Sequence, residues 1–304
     1  MATFNPVSSS QSLTPFLAVV GETASGKTAA AIEIAKQIGG EIICADSRTI
    51  YKHMNIGTAK PTVTEQAGIT HHLLNVVEPG EKFSVAEFQK LAKKCVQDIN
   101  LRGNIPIIVG GTGLYVDSVL YNFHFPKTID ATSREAIEQM NDDELTTLML
   151  KKRIDSSALN TKNRRHVINA ILREGKVGTR EALLPNARIV GIRLDRDVLQ
   201  SRITQRVDQM FAQGFLAEVK QLAKVYGWDN EAMSGIGYRV ARQYFEGSVS
   251  EEEAKVAFVQ RDMSLAKRQR TWFKRNKDIG WFDEPQDLID NVIEFVSSFD
   301  YNKS

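Results

Sequence analysis

Residues Gly21-Glu22-Thr23-Ala24-Ser25-Gly26-Lys27-Thr28 fit the pattern GxxxxGK[ST]. Glycines at that spacing let backbone N–H groups turn inward around phosphate oxygens, the lysine adds a point charge, and the closing hydroxyl can ligate Mg²⁺. Thr28 is therefore the expected metal ligand. The pattern speaks for phosphate binding and not for ATP hydrolysis, which also needs a carboxylate at the end of an apolar strand to organise Mg²⁺ and water. The apolar run at Ile105 ends in Gly110-Gly111-Thr112 without one, and Asn160–Asn163 (NTKN) lacks the Asp of the guanine-reading signature NKxD. What remains on the same edge is Asp46 and Thr112. A carboxylate beside bound substrate can take a proton from an incoming nucleophile. Asp46-Ser47 can equally be a polar turn that closes a strand, and the residues alone leave those two readings level.

The elements that must position these groups follow from hydrophobic periodicity. Phe16–Gly21 (FLAVVG) is a short apolar run ending in glycine, and Lys27–Ile38 repeats Ala and Ile at helical spacing, so the glycine-rich segment joins a strand to a helix. The positive end of that helix then points at the same anion. Glu41–Ser47 reads as a second buried strand, Phe83–Ile99 as a helix and Ile105–Gly111 as a third strand. Strands alternating with helices predict an α/β fold, a P-loop-type parallel sheet core flanked by helices, with ligands at the carboxyl ends of the strands. From about 121 to 185 the pattern turns to polar helical segments, including Asp143–Lys152 and Lys162–Glu174. The expected organisation is a flexible tail over 1–15, a catalytic core made of 16–120 and 186–304 with C-terminal helices, and a helical insertion domain over 121–185. Ala187–Leu194 returns to the sheet, and Arg196–Tyr226 and Ser250–Arg275 read as long helices.

Composition narrows the class. The chain has 304 residues, 42% hydrophobic and 25% charged, which suits a sizeable folded core and excludes wholesale disorder. A net charge of only +2 means that affinity for nucleic acid must come from local clusters of Lys and Arg. The two cysteines, Cys44 and Cys95, lie in apolar-rich segments without metal-ligand spacing, as expected of structural thiols in a reducing compartment. His71 and His72 precede apolar Leu73-Leu74 and suit a structural role better than metal ligation. The tail lacks the basic flank and apolar run of a signal peptide, and no run approaches a membrane span, so a cytoplasmic, monomeric protein without membrane contact is expected.

Six segments in order, GETASGKT (Gly21–Thr28), ADSRTIY (Ala45–Tyr51), MNIGTAKP (Met54–Pro61), HHLLN (His71–Asn75), FSVAEF (Phe83–Phe88) and VGGTGLY (Val109–Tyr115), resemble the ordered motifs of the tRNA dimethylallyltransferases. The likeness continues through RVDQMFAQGFLAEV (Arg206–Val219), SGIGYR (Ser234–Arg239) and AKRQRTWFKR (Ala266–Arg275). It implies transfer of a dimethylallyl group from dimethylallyl pyrophosphate to N6 of the adenosine 3′-adjacent to the anticodon. It also implies Asp46 as the base on the adenine amine, Gly21–Thr28 with Mg²⁺ as the pyrophosphate site, Thr112 near the reacting centre, and Arg206 as an extra cation on the leaving group. Lys27, Mg²⁺ and Arg206 would neutralise the departing oxygens, and the target base would be flipped out of its stack to reach Asp46.

The basic cluster Lys267, Arg268, Arg270, Lys274, Arg275 and Lys277 surrounds Trp272 and Phe273, a mixture suited to phosphate contact and base stacking, although such runs are commonly solvated helix faces. The resemblance implies tRNA contact by Asp46, Ser47, Arg48, Thr49 and Thr112, by Gly237, Tyr238 and Arg239, and by Lys267, Arg268, Gln269, Arg270, Trp272 and Lys274. In the insertion it implies Arg134, Arg165, His166 and Asn169. This chain departs from the pattern of the family it resembles at Glu22, which replaces a proline, at Arg48-Thr49, which replaces the usual pair, and at His166 and Asn169, where arginine is usual; Glu22 is expected to weaken anion binding slightly. Three other functions stand beside this one: prenylation of a free adenine nucleotide, a P-loop small-molecule kinase, and a catalytically silent RNA-binding protein. The insertion and the basic C-terminal helix argue against the first, and the shortage of lid arginines beyond Arg164-Arg165 argues against the second. Intact Lys27, Thr28, Asp46 and Thr112 argue against the third.

Overall fold

The computed structural model describes residues 14–126, 131–157, 159–161 and 163–299; of the tail read over 1–15 only Thr14 and Pro15 fall within them, and Lys162 falls outside. The chain runs β1 (Phe16–Gly21), α1 (Lys27–Ile38), β2 (Gly40–Cys44), β3 (His71–His72), α2 (Val85–Leu101), β4 (Ile105–Gly110), α3 (Gly113–Leu120), α4 (Ala131–Gln139), α5 (Asp142–Lys151) and α6 (Arg164–Leu172). It continues with β5 (Ala187–Ile192), α7 (Arg196–Ala212), α8 (Phe215–Tyr226), a 3₁₀ turn (Ala232–Ser234), α9 (Ile236–Phe245), α10 (Glu251–Phe273), β6 (Ile279–Phe282) and α11 (Pro285–Ser297).

The strands form one parallel sheet in the order β3-β2-β4-β1-β5-β6. β1 and β4 are buried at every residue, as strands covered by helices on both faces must be, which is why both read as continuous apolar runs. One face packs Leu17, Val19, Ile107 and Ile192 against Ala31, Ile34 and Ala35 of α1 and against Leu288 and Val292 of α11. A second core joins α7 to α10, where Leu199, Ile203 and Val207 meet Phe215, Tyr238 and Phe258. Burying each such side chain contributes about 1.5–3 kcal/mol.

Because all strands run the same way, the loops after β1, β4 and β2 leave from one edge, and these strands are neighbours. Gly21, Gly110 and Asp46 therefore meet there by topology. The close approach depends on Gly110: a Cβ at that position would overlap the Ala45 carbonyl oxygen.

The single helix read over Arg196–Tyr226 is two helices. Gly214 adopts φ 95°, a left-handed conformation open to glycine, and turns the chain between α7 and α8. Residues 121–182 form a separate compact unit with its own core of Ile137, Leu145, Met149, Val167, Ile168, Ile171 and Leu172. Within that unit Asn141 caps α5 with a reciprocal bond to Glu144, and Asn163 caps α6. No described helix is long and apolar enough to cross a membrane.

Candidate active site

The segment Gly21–Thr28 is the turn from β1 into α1. Gly26 begins the helix at φ 92°, and no side chain caps the helix start, so its first-turn N–H groups face the loop. Ala24 also sits at positive φ, 60°. The Lys27 ammonium folds back over the loop and donates to the Glu22 carbonyl at 3.0 Å. Burial pulls its pKa down to about 8; the charges of Asp46 and Glu22 oppose that fall, and Arg206 adds to it. Thr28, half-buried, sits in the first turn of α1.

Around this loop lie polar groups bound to one another with some capacity left over. Arg206, reaching in from α7, donates from Nη1 to Thr23 Oγ1 at 2.8 Å and from Nη2 to Asp262 Oδ2 at 2.6 Å. Its Nε and the Ser25 hydroxyl are buried with no partner among the described residues. Arg202 donates to the Ser25 carbonyl at 3.3 Å. Asp262 is buried in α10, and that burial raises its pKa while the Arg206 charge pulls it down. Sequence reading missed Asp262; its signal is a carboxylate inside the buried stripe Phe258, Asp262, Ala266, Gln269 of α10.

Asp46 follows β2 and accepts the Arg48 N–H at 2.8 Å, so the turn-closing bond envisaged for it is present and uses one carboxylate oxygen. Thr112 lies across from it: its hydroxyl accepts the Ser47 N–H at 3.1 Å, and its own N–H donates to Ala45 O at 3.3 Å. Arg48 turns away to donate to the Glu231 carbonyl at 2.8 Å and reaches Ser234 Oγ at 3.4 Å. Thr49 is buried, its hydroxyl without a partner among the described residues. Nearby, Tyr115 stacks on Phe88 with ring centroids 4.2 Å apart, and burial holds its phenol protonated far above the usual range.

The C-terminal half of α10 supplies a different mixture. Gln269 is buried: it accepts the Thr23 N–H at 2.8 Å and donates to Gly111 O at 3.1 Å, bridging the loops after β1 and β4. Arg270 pairs with the buried Glu22 carboxylate. Trp272 donates to Asp117 Oδ2 at 2.9 Å and lies where a Cβ on Gly113 would overlap its ring. Lys267, Arg268 and Lys274 are exposed, and Lys267, Arg268, Thr271, Trp272 and Arg275 line a basic pocket of about 220 Å³.

Gly237 and Tyr238 are buried in the core of α8 to α10, where the Tyr238 hydroxyl donates to Glu218 at 2.9 Å; Arg239, beside them, is exposed. Glu218 also accepts the N–H groups of Asn55, Ile56 and Gly57 at 2.7 to 3.0 Å, fastening the segment that follows the Asp46 turn. In the separate unit, Arg134 pairs with Glu138 at 2.7 Å, Arg165 and His166 are exposed on α6, and Asn169 is half-buried.

The edge thus unites Gly21–Thr28, Asp46, Thr112 and Arg206, together with Gln269 and Arg270. Residues 49–276 match the family model described as IPP transferase. A tRNA dimethylallyltransferase of Anoxybacillus flavithermus is 41% identical over 287 residues, covering 89% of this chain and 91% of that protein. One of Carboxydothermus hydrogenoformans is 38% identical, covering 91% and 94%. The crystal structure of the full-length tRNA isopentenylpyrophosphate transferase of Bacillus halodurans superposes with a TM-score of 0.74 at 33% identity, over 94% of this chain and 98% of that one. Matched along most of its length in sequence and in fold, this chain belongs to the IPP transferase family.

Proposed function

We propose that this chain transfers a dimethylallyl group from dimethylallyl pyrophosphate to N6 of the adenosine 3′-adjacent to the anticodon in tRNA. The observation that carries this reading is the composition of one sheet edge. An uncapped helix start, Lys27, and the Arg206 Nε and Ser25 hydroxyl, both without a partner among the described residues, surround the loop after β1, while Asp46 stands in the neighbouring loop, close enough for its charge to act on Lys27. Buried polar groups left without partners cost about 1–3 kcal/mol each, and diphosphate oxygens would satisfy the donors among them.

In this mechanism the loop N–H groups, Lys27 and Arg206 hold the diphosphate and take up the charge that grows on the departing oxygen. The bond between the allylic carbon and that oxygen breaks, the bond from N6 to the carbon forms, and Asp46 takes the N6 proton. Thr112 holds the Ser47 N–H and so fixes the turn that aims Asp46. Trp272 and the exposed Lys267, Arg268 and Lys274 offer stacking and phosphate contacts for the RNA.

Among the described residues no group of three His, Cys, Asp or Glu side chains could enclose a metal. A donor set of the Thr28 hydroxyl, substrate diphosphate oxygens and water suits Mg²⁺, which dehydrates reluctantly and binds with few protein ligands. When bound it would supply further neutralisation of the leaving group.

The test is incubation of the purified protein with dimethylallyl pyrophosphate and Mg²⁺ in the presence of total tRNA or AMP, followed by digestion and mass spectrometry of nucleosides. Prenylated adenosine from the tRNA arm alone is expected. Product from AMP alone, or consumption of ATP with a small acceptor and no use of the allylic donor, would refute the reading.

A further inference from the structure

Glu22 is the only acidic residue within Gly21–Thr28. A carboxylate there opposes any anion the loop receives, and its charge is felt at the Lys27 ammonium, which it helps keep protonated. It is not solvated away: the Glu22 side chain is only 6% exposed. Arg270 closes on it as a fork, with Nε against Oε1 and Nη2 at 3.0 Å from Oε2, and Nη2 also donates to Leu194 O at 3.1 Å. The Arg270 side chain is still 43% exposed, but turning Nε and Nη2 to an RNA phosphate would leave a buried carboxylate unpaired beside the loop. Its position in the basic cluster therefore says little about its partner.

We propose that Arg270 is a positioning residue whose partner is Glu22: it neutralises that carboxylate and so keeps the loop receptive to diphosphate, and it does not contact nucleic acid. The assignment rests on the diphosphate-donor reading above. Two neighbours on α10 serve the same loop, Gln269 on the Thr23 N–H and Asp262 through Arg206 on the Thr23 hydroxyl. Glu22 and Arg270 are then a compensating pair, in which the carboxylate is tolerated because the arginine is present.

The experiment is titration calorimetry of inorganic pyrophosphate with Mg²⁺ into the full chain, alongside filter binding of tRNA at several salt concentrations. Arg270→Gln should bind pyrophosphate on the order of tenfold more weakly, because an uncompensated charge is left beside the loop. Glu22→Gln should bind at least as tightly as the unaltered protein. The double variant Glu22→Gln/Arg270→Gln should return to within about twofold of it, the non-additivity expected of contacting partners. Arg270→Gln should leave the salt dependence of tRNA binding unchanged.

Pyrophosphate binding in the double variant as weak as in Arg270→Gln would overturn the proposal, as would a tRNA salt slope flattened by about one in either Arg270 variant. If Arg270→Gln fails to fold, the double variant compared with Glu22→Gln decides alone, since neither leaves a lone buried carboxylate. An unaltered protein that binds pyrophosphate but transfers no prenyl group would remove the proposed function and leave this ranking decisive. One that does not bind pyrophosphate at all would remove both.

Discussion

Thr112 Oγ1 accepts the Ser47 N–H at 3.1 Å, joining the loop after β4 to the turn that carries Asp46. The bond spans two adjacent parallel strands and ties the position of the carboxylate to the backbone of its neighbour. Loss of the carboxylate and loss of the tie should therefore be separable by kinetics.

Asp46→Ala is expected to lower kcat by about 10²–10⁴, the usual contribution of a positioned general base, with tRNA affinity nearly unchanged. Single-turnover kinetics with saturating donor and tRNA provide the check. Turnover equal to that of the unaltered protein would remove Asp46 as the base.

If Lys27 holds the donor diphosphate as proposed, it links donor binding to pH. Its pKa is lowered to about 8 by burial, so the ammonium is charged below that pH and is lost in the free protein as pH rises through it. The dissociation constant for pyrophosphate should rise by up to about tenfold per pH unit above that point, and binding there should take up a proton. Calorimetry in buffers of different ionisation enthalpy measures the uptake, and Lys27→Met should abolish it.

Replacing Lys274 and Arg275 together with Ala should weaken tRNA binding across sequences and lower the slope of log K against log salt by about 1.5–2. Both side chains are exposed and Arg275 lines the basic pocket beside Trp272. An unaltered slope would show that they meet no phosphate.

Glu41 gives a prediction about stability alone. Hydrogen bonds from Arg102 Nε at 2.9 Å and Nη2 at 2.7 Å, with help from Asn104 and His72, hold its pKa at about 2 against an ordinary 4.5. A depressed carboxylate stabilises the fold above its unfolded pKa, so this contribution is present above about pH 4.5 and is lost as pH falls toward 2. Glu41→Gln should lower the denaturation midpoint at neutral pH and narrow its gap to the unaltered protein as the solution is acidified through that window.

Local spacing made the glycine loop, its flanking strand and helix, and the expectation of a parallel sheet legible, because each rests on residues within a few positions of one another. Asp46 and Thr112 were legible as strand-end residues, and the topology brings them to one edge. The tethers from α10 were not. Gln269 was grouped with RNA contacts because its neighbours are basic, yet its side chain bridges Thr23 and Gly111; Asp262 was not singled out at all. Their partners lie up to about 250 residues away in sequence, where no periodicity can point. The Gly214 break is hidden because apolar spacing runs on through both helices, and Ile279–Phe282, a four-residue edge strand, is too short to give a clear periodic signal.

One helix carries Asp262, Gln269, Arg270 and Trp272, each engaged with a different part of the sheet edge or its neighbours. Those positions span roughly 15 Å of helix at about 1.5 Å per residue, so α10 works as a ruler whose marks must stay in phase. A single residue inserted between Ala266 and Gln269 would swing every later mark by about 100°, pulling Gln269, Arg270 and Trp272 out of reach together while leaving Asp262 in place. The helix can therefore change letters one at a time far more readily than it can change length.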